Sequence, residues 1–209
     1  YRDISSPVNT KVSDLNDDFP VFGQNAVHCW YAYNPYPNVQ YYNESNNAVT
    51  NNYYGGFWSY TGLNNTLTAM KGIAIRTYEG APFTLDFTGA PYNGSKSIPI
   101  SFTNTGNVAA DGWNLVGNCY PSPILWNKVK LANPSELGAT YYVFQTTGEY
   151  AGSWGSSNGS TTVNGATNEI ASSQGFWVLA SGNSNLDMNN GVRTASASTQ
   201  FFKTNEVQP

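Results

Sequence analysis

The residue types that most often perform catalysis are sparse in this chain. The only histidine, His28, directly precedes Cys29, one of two cysteines. A Cys–His nucleophile pair requires the two side chains to meet, whereas adjacent residues in a strand point to opposite faces of the sheet. The thirteen carboxylates could hold a glycosidase pair, but nothing in their spacing marks any two of them. The sequence also lacks serine-hydrolase, phosphate-loop, zinc and dinucleotide motifs, so we expect a protein that is not an enzyme.

A short acidic segment is the one candidate for metal binding. Asp14, Asp17 and Asp18 lie within DLNDD, and calcium prefers several carboxylate and carbonyl oxygens in one place. Their spacing differs from that of an EF-hand loop. In the alternative interpretation, which we favour, the segment is an exposed turn whose acids accept hydrogen bonds from nearby backbone N–H groups. Calcium at these residues is therefore a hypothesis, and no other cofactor is expected.

Aromatic residues are dense between residues 30 and 60, where eleven Trp, Tyr and Phe rings occur. One half of a small β-domain cannot bury all of them, so some rings should be exposed. Sugar rings stack on such faces while amide groups bind their hydroxyls, and protein partners use Tyr and Trp as anchors. The alternative is that alternate rings are core and the rest cover strand edges. We expect a ligand at the following residues, the first three being the leading candidates: Tyr33, Tyr36, Trp58, Tyr31, Tyr54 and Asn34.

The surroundings of the rings separate candidate anchors from candidate core residues. Pro35 and Pro37 fix the backbone around Tyr36, so this ring could be presented at a lower entropic cost. Other tryptophans lie in strand-like or corner motifs of the second half of the chain. We assign these to the core: Trp113, Trp126 and Trp177.

The elements that carry these side chains should be short strands. Charged residues make up 11% of the chain and aromatic residues 15%, beside 20 Gly and 11 Pro. Tyr, Trp, Phe and Thr suit a pleated surface, and Asn and Gly suit tight turns. No stretch keeps a 3.6-residue apolar period for long. We therefore predict an all-β fold.

Composition also argues against several partners. The formal net charge is -4 and the Lys and Arg residues are scattered, so no basic stripe could neutralise a nucleic-acid backbone. No apolar run approaches the roughly 18 residues that a membrane-spanning helix needs. We expect a soluble chain with no nucleic-acid partner and no membrane span. Because the chain starts at Tyr1 without an initiator Met, we also expect a processed piece of a longer protein.

The same series of short sequence motifs occurs twice in the chain, in the same order. The matches are Ser6-Pro7 with Ser122-Pro123, Tyr41-Tyr42 with Tyr141-Tyr142, Gly72 with Gly175, and Leu85 with Leu186. Each series then ends on an alternating stretch, SIPISFT at 97–103 and STQFFKT at 198–204. Several landmarks in one order predict an internal duplication. Chance echoes among Tyr- and Gly-rich strands are the alternative.

The duplication defines the expected domain organisation. We predict two related halves of about six short strands each, residues 1–107 and 108–209, with an inserted loop region at about 11–40 in the first half. The expected architecture is a jelly-roll-like β-sandwich. It could be built as two sandwiches that share an apolar interface or as one larger double-sheet body.

Five segments together resemble a known family. They read RDISSPV, LNDDFPVFG, MKGIAI, GWNLVGNCYPSPILW and SSQGFWVLA, and they are spread over nearly the whole chain. They are similar to the domain that precedes the C-terminal sorting domain in many secreted and surface proteins of Bacteroidota, the substrates of type IX secretion. The resemblance implies a non-catalytic extracellular β-sandwich attached to adhesins, giant repeat proteins or polysaccharide-degrading enzymes. It implies no specific ligand.

The resemblance makes the two cysteines unusual. Cys119 stands where the family usually has Pro, Leu125 stands where it usually has Asp, and Cys29 lies in the first-half insertion. Two cysteines in an exported chain, each where the family pattern has none, predict a Cys29–Cys119 disulfide. This bridge would pin the inserted loop to the Ser122-Pro123 corner. Two buried free thiols are the alternative.

The expected function follows from the resemblance and from the aromatic surface. We expect a non-catalytic extracellular or cell-surface domain of a type IX secreted protein, which adheres through contacts with a glycan or a cell-surface protein. The alternatives are a carbohydrate-binding module that serves a polysaccharide-degrading enzyme and a structural spacer before a sorting domain. The type IX secretion machinery would be a partner only through a C-terminal sorting domain outside this sequence.

Overall fold

The computed structural model describes residues 2–22, 37–46, 56–76, 84–146 and 152–195. Strands make up 41% of the structure and helices 11%, which confirms the all-β prediction. The strand pairs of the described residues are antiparallel. No helix in these ranges is long and apolar enough to cross a membrane.

The first half forms a four-stranded sheet with the order β1-β6-β3-β4, and β2 pairs separately with β5. A one-turn helix, α1 (Ser13–Asn16), follows β2. The strands are β1 (Arg2–Ser5), β2 (Thr10–Lys11), β3 (Val39–Tyr42), β4 (Phe57–Ser59), β5 (Thr66–Leu67) and β6 (Gly72–Ile75).

The second half forms a five-stranded sheet with the order β12-β11-β10-β14-β8, and the pairs β9·β13 and β7·β15 lie outside it. A helix, α2 (Trp126–Ala132), follows β9, and a 3-10 helix (Asn190–Val192) follows β15. The strands are β7 (Lys96–Ile100), β8 (Trp113–Gly117), β9 (Ile124–Leu125), β10 (Leu137–Thr146), β11 (Gly152–Ser157), β12 (Thr162–Val163), β13 (Glu169–Ile170), β14 (Gly175–Ala180) and β15 (Ser184–Met188).

The two halves repeat one pairing scheme. The order β1-β6-β3-β4 of the first sheet matches the order β8-β14-β10-β11 within the second, and the pair β2·β5 matches the pair β9·β13. A helix follows β2 in one half and β9 in the other. Strand β12 has no counterpart among the described residues of the first half. The shared order of sheet and helix supports a duplicated unit.

The strand register identifies the equivalent residues. Ser5 pairs with Gly72 in the first sheet, as Gly117 pairs with Gly175 in the second. Gly72 and Gly175 are therefore the first residues of equivalent strands, as the sequence analysis expected. Ser5 and Gly117 are the last residues of the two strands that pair with them.

The paired tyrosines lie on equivalent strands but two positions out of register. Val39 of β3 pairs with Ile75, as Tyr141 of β10 pairs with Val178. Val39 therefore occupies the place of Tyr141, and Tyr41 does not. A shift of two positions keeps the same face of a strand, which is why the sequence pattern looked similar.

The expected match of the two Ser-Pro corners is wrong. Ser6-Pro7 follows β1 directly, whereas Ser122-Pro123 precedes β9, because four residues separate β1 from β2 and six separate β8 from β9. The counterpart of Ser6-Pro7 is Asn118-Cys119. The hydrogen bonds agree, since Val8 N donates to Ser6 Oγ (3.3 Å) as Tyr120 N donates to Asn118 Oδ1 (2.9 Å).

Strand β7 packs with the second half. We expected SIPISFT to close the first half, but β7 pairs with β15, and Ile98 and Ile100 enter the core of the second half. Leu85 packs on the first core from an irregular segment, whereas Leu186 lies in β15. The stretch STQFFKT lies outside the described residues.

Each sheet covers a hydrophobic core with one of its faces. The first core combines residues of β1, β3 and β6 with side chains of β5, of α1 and of the residues that flank α1: Ile4, Val12, Leu15, Phe19, Val39, Leu67, Ile73 and Ile75. The second core is larger and includes Trp126 of α2 and Tyr141 of β10, both 2% exposed or less. Since side chains alternate along a strand, the opposite faces of β1, β6, β8 and β14 are left for contact between the halves.

Candidate functional site

The two sheets meet through strands with very small facing residues. We call this contact the inter-half interface; it is formed by β1 and β6 of the first sheet and by β8 and β14 of the second. A Cβ atom on Gly72 would lie only 2.6 Å from Leu115 Cγ, and one on Gly117 would overlap Cβ of Ser5. The backbones of the two halves approach so closely that these glycines leave no room for a side chain.

The contacts across this interface are reciprocal. Gly72 packs on Leu115, and the equivalent Gly175 packs on Asp3, where an added Cβ would lie 2.6 Å from the carbonyl carbon. Asp3 and Leu115 hold equivalent positions in β1 and β8 by register. Two isolated β-bridges cross the interface in the same reciprocal way: Ile4 with Gln174 and Val116 with Lys71.

Backbone hydrogen bonds complete the symmetry. Ser5 N donates to Ser173 O (2.8 Å), and Gly117 N donates to Met70 O (2.8 Å). Met70 and Ser173 both have a positive φ, 76° and 60°, which is uncommon for residues other than glycine. The same backbone conformation thus recurs at equivalent positions, and an approximate two-fold axis relates the halves as in an isologous dimer.

A buried carboxyl group breaks this symmetry. Asp3 is 5% exposed, and its Oδ2 accepts a hydrogen bond from Trp177 Nε1 (2.8 Å). Gln174 Nε2 donates to the backbone oxygen of Asp3 (3.0 Å). Burial raises the pKa of Asp3 to about 6, although the Trp177 hydrogen bond opposes this effect. The equivalent residue in the second half is the apolar Leu115.

We predict that the change in unfolding free energy caused by Asp3→Asn is more favourable at pH 7.5 than at pH 4. The folded pKa of Asp3 lies above the unfolded value of 3.8, so its stabilising contribution is complete below pH 3.8 and is lost as pH rises through about 6. Asn keeps an oxygen that can accept from Trp177 but does not titrate. The difference in unfolding free energy between variant and wild type should shift by about 2 to 3 kcal/mol between the two pH values.

Chemical denaturation of both proteins at pH 4 and pH 7.5 measures this shift. Asp111→Asn serves as a control, because Asp111 is also buried, 3% exposed, but accepts hydrogen bonds from Thr105 N (3.0 Å) and Thr105 Oγ1 (2.6 Å) within its own loop. A pH-independent difference for Asp3→Asn would contradict the proposed ionisation.

A second buried carboxylate fastens the halves at another point. Glu44, which follows β3, is 2% exposed. Its Oε1 accepts hydrogen bonds from Thr103 N (2.7 Å) and Gly112 N (2.8 Å), and its Oε2 accepts from Thr103 Oγ1 (2.9 Å). Glu44 therefore binds both ends of the segment that leads from β7 into β8.

Aromatic rings of both halves form one cluster at the inter-half interface. Trp177 lies at its centre, 4.6 Å from the ring of Tyr42, 5.8 Å from Phe57 and 6.1 Å from Trp154. Phe144 packs against Trp154 at 5.2 Å. The pairs Tyr42·Phe57 and Phe144·Trp154 are cross-strand pairs at equivalent positions of the two sheets. We call these five rings the aromatic cluster.

The cluster reaches the surface at Trp154. Neighbouring rings meet edge to face, at 63° to 78°, so they do not form a flat platform. Trp177 is 5% exposed, whereas Trp154 is 37% exposed. Val163 of the edge strand β12 is 49% exposed and lies on the same sheet face, because it pairs with Ser156, two residues from Trp154. The most exposed ring of the cluster is thus the indole of Trp154, which lies beside an apolar edge.

The structure describes one of the six predicted ligand-binding residues. Trp58 lies in β4 and is half-buried, with its indole nitrogen shielded from solvent. Trp58 therefore faces away from the aromatic cluster, since Phe57 is its neighbour in the strand. The other five residues lie outside the described residues: Tyr31, Tyr33, Asn34, Tyr36 and Tyr54.

Two parts of the predicted insertion, residues 20–22 and residue 38, are held together. Asn38 is 1% exposed, its Nδ2 donates to Pro20 O (2.8 Å), and its Oδ1 accepts from Phe22 N (2.7 Å). The intervening residues 23–36 lie outside the described residues. A single buried amide thus joins the chain entering this segment to the chain leaving it.

The acidic segment makes local hydrogen bonds. Asp14 accepts from Thr10 Oγ1, Asp18 Oδ2 accepts from Asp86 N (3.0 Å), and Asp17 is exposed. Burial, together with the carboxylates of Asp86 and Asp17, raises the pKa of Asp18. Within the described ranges, no group of three or more His, Cys, Asp or Glu side chains could hold a metal ion. The calcium hypothesis gains no support from this geometry.

Cys119 forms no disulfide with any residue that the structure describes. Its side chain is fully buried in the second core, and burial raises its pKa to about 11. Because Cys29 lies outside the described residues, the Cys29–Cys119 bridge stays a prediction and a buried free thiol stays its alternative.

Sequence reasoning did not single out Trp154, Asp3 or Glu44. A signal for Trp154 existed, because each half has an aromatic stretch between its paired tyrosines and its Gly72 or Gly175 position: GGFWSYTG at 55–62 and EYAGSWGS at 149–156. For Asp3 and Glu44 we find no sequence signal, since their burial depends on contacts between the halves. The tryptophans assigned to the core behave differently, because Trp126 and Trp177 are buried whereas Trp113 is half-buried against Tyr142 at 5.2 Å.

Comparison with known proteins identifies a family without a known activity. A family model described as a domain of unknown function (DUF8693) matches residues 1–209. No curated protein and no solved structure matches the chain.

Proposed function

Because the chain belongs to the DUF8693 family, a domain family of unknown function, we propose its role from its own residues. The protein is a non-catalytic extracellular domain that attaches its parent chain to a glycan or a cell-surface protein. Its resemblance to the domain that precedes the sorting domain of type IX secreted proteins supports the extracellular location. The aromatic surface centred on Trp154 supports the attachment role.

The observation that carries this proposal is the partial exposure of Trp154. Trp154 is 37% exposed, yet its ring packs against two other rings of the aromatic cluster, those of Phe144 and Trp177. A ring held in place by its neighbours loses little conformational freedom on binding, so most of the contact energy is available for affinity. Trp is also among the residues that most often anchor a partner.

The exposed part of the aromatic cluster, at Trp154, suits a single ring or apolar side chain of a partner. The other rings of the cluster meet edge to face, so a flat row of stacked sugars has no matching surface there. One sugar face or one apolar side chain can pack on Trp154 while Val163 borders it. A carbohydrate-binding module for a neighbouring enzyme would use the same contact.

A structural spacer is the second candidate function. The close glycine contacts, the buried Glu44 and the reciprocal backbone bonds join the halves over a continuous interface. A rigid body of this kind could hold neighbouring domains apart without binding any ligand. The two functions differ in one result, which is whether the isolated domain binds a surface component.

We predict that Trp154→Ala weakens binding by about 1 to 3 kcal/mol, the range for an anchoring ring. Binding is measured with the full chain on a glycan array and on intact cells, and any hit is then quantified by calorimetry. Leu131→Ala is the matched control, because Leu131 is a 79% exposed apolar residue on α2, outside the aromatic cluster. Tyr36→Ala tests the insertion separately.

The outcomes distinguish the candidates. Weakening by Trp154→Ala, with Leu131→Ala unchanged, supports the Trp154 surface. Weakening by Tyr36→Ala alone moves the ligand site to the insertion. Binding that neither variant changes would contradict both sites, and no binding to any glycan or cell surface would favour the spacer.

A further inference from the structure

A second surface feature involves none of the residues of the aromatic cluster. It lies where the corner after β8 meets the start of β7 and the 3-10 helix after β15. Here two positive side chains each lie over a tyrosine ring. Lys96 Nζ is 5.2 Å from the centre of Tyr92, and Arg193 Cζ is 5.6 Å from the centre of Tyr120.

Neutral contacts hold the guanidinium group of Arg193 in place. Its Nε donates to Ser122 Oγ (2.9 Å), and one terminal nitrogen donates to Asn190 Oδ1 (3.4 Å). The ring of Tyr120 below it is fully buried, and its hydroxyl donates to Gly94 O (2.8 Å). These two contacts use two of the five N–H donors of the half-buried Arg193 side chain, so three donors remain that could bind a ligand.

Hydrogen bonds connect this group to the segment that carries Lys96. Gly94 N donates to Asn190 Oδ1 (3.1 Å), the same oxygen that Arg193 contacts. Gly94 lies between Tyr92 and Lys96 in the sequence. The same hydrogen-bond network therefore joins the segment that carries Lys96 to the segment that carries Arg193.

Neither cation has an acidic partner in the part of the chain that the structure describes. Among the residues that the structure describes, the side chains of Lys96 and Arg193 contact tyrosine, serine and asparagine. Cation–π contacts stabilise a positive charge but do not neutralise it. The formal net charge of the chain is -4, so two cations that border one hydrogen-bond network are a local exception to its acidic character.

The electrostatic effects on the residues beneath agree with this placement. Burial raises the pKa of Cys119 to about 11 and that of Tyr120 to about 12. The charge of Lys96 opposes the shift at Cys119, and the charge of Arg193 opposes the shift at Tyr120. The two cations therefore act on adjacent residues of the same corner.

We propose that Lys96 and Arg193 form a binding site for a carboxylate or sulfate group of an acidic glycan. A guanidinium group offers paired N–H donors that match the two oxygens of such an anion, and the ammonium group adds a second charge. The hydroxyl of Ser122 and the exposed amide of Asn190 flank the site and suit sugar hydroxyls. Two cations are too few to follow a nucleic-acid backbone, where specific binding involves many phosphate contacts.

The test uses the full chain and two polyanions, polygalacturonate for carboxylate and heparin for sulfate, with neutral dextran as a control. Calorimetry at low ionic strength should show binding to at least one polyanion and none to dextran. Lys96→Gln and Arg193→Gln should each weaken that binding about tenfold or more, the scale of a charge-assisted hydrogen bond. Lys128→Gln, which removes an exposed charge from α2, should leave it unchanged.

Two controls separate a loss of binding at this site from unfolding and from a general effect of charge. Arg193 also holds Ser122, so the thermal midpoint of Arg193→Gln is measured first; if the variant fails to fold, Lys96→Gln decides the question. Binding to one polyanion only identifies the preferred anion and supports the site. Equal weakening by Lys128→Gln would show that general charge is responsible and would overturn the proposal, as would the absence of binding to both polyanions.

Discussion

Replacement of Gly117 by alanine should lower the free energy of unfolding by more than about 3 kcal/mol, beyond the usual cost of overpacking. The added methyl group would overlap Cβ of Ser5 and would lie 2.6 Å from its Oγ. Both atoms belong to Ser5 of β1, on the other side of the inter-half interface, so relief requires the two sheets to move apart. Denaturant unfolding of wild type and variant measures the loss.

Two further variants establish that the inter-half interface is the cause. Gly182→Ala is the matched control, because no atom lies within 4 Å of the position of its Cβ, and its stability should change little. Ser5→Gly removes the opposing side chain, so the double variant Ser5→Gly/Gly117→Ala should recover part of the loss. Recovery is partial, since Gln174 O would still lie 3.2 Å from the new methyl group. Full additivity of the two changes would contradict direct contact.

Trp177→Ala should destabilise the protein by about 3 to 5 kcal/mol, the range for deleting a buried tryptophan. Its ring contacts rings of both halves, Tyr42 and Phe57 from the first and Trp154 from the second. The substitution also leaves the carboxyl group of Asp3 without the N–H donor of the indole. Thermal and denaturant unfolding at pH 7.5 measure the cost.

Trp154→Ala is the comparison for this variant, because Trp154 belongs to the same cluster but is 37% exposed against 5% for Trp177. Its cost should be clearly smaller. Trp177→Phe keeps a ring but removes the hydrogen bond, so the pKa of Asp3 should rise further in that variant. Equal losses for Trp154→Ala and Trp177→Ala would contradict the central position of Trp177.

Local patterns predicted the strands, the fold class and the repeated order of signals. Gly72 and Gly175 were matched correctly. Each begins a strand that lies very close to a strand of the other half, so only glycine fits at this position in both halves. Tyr41 and Tyr141 were matched two positions out of register because residues two apart on a strand share a face. Periodicity alone cannot detect an even shift.

Errors arose where residues far apart in the sequence decide the outcome. Strand β7 follows the first half in the chain, yet Ile98 and Ile100 enter the second core through its pairing with β15. The complete burial of Cys119 in the second core likewise depends on residues that are distant from it in the sequence. The candidate site could not be predicted from the sequence for the same reason, because the environments of Asp3 and Trp154 depend on contacts between the halves.

The two halves of this chain form one cooperative body only if the reciprocal interface stays closed until the whole protein unfolds. Native-state hydrogen exchange of two equivalent amides tests this most directly: Ser5 N–H, bonded to Ser173 O, and Gly117 N–H, bonded to Met70 O. We predict that both exchange only through global unfolding, with equal opening free energies that match the denaturant value. Exchange of either amide at a clearly lower free energy, through separation of intact halves, would contradict it.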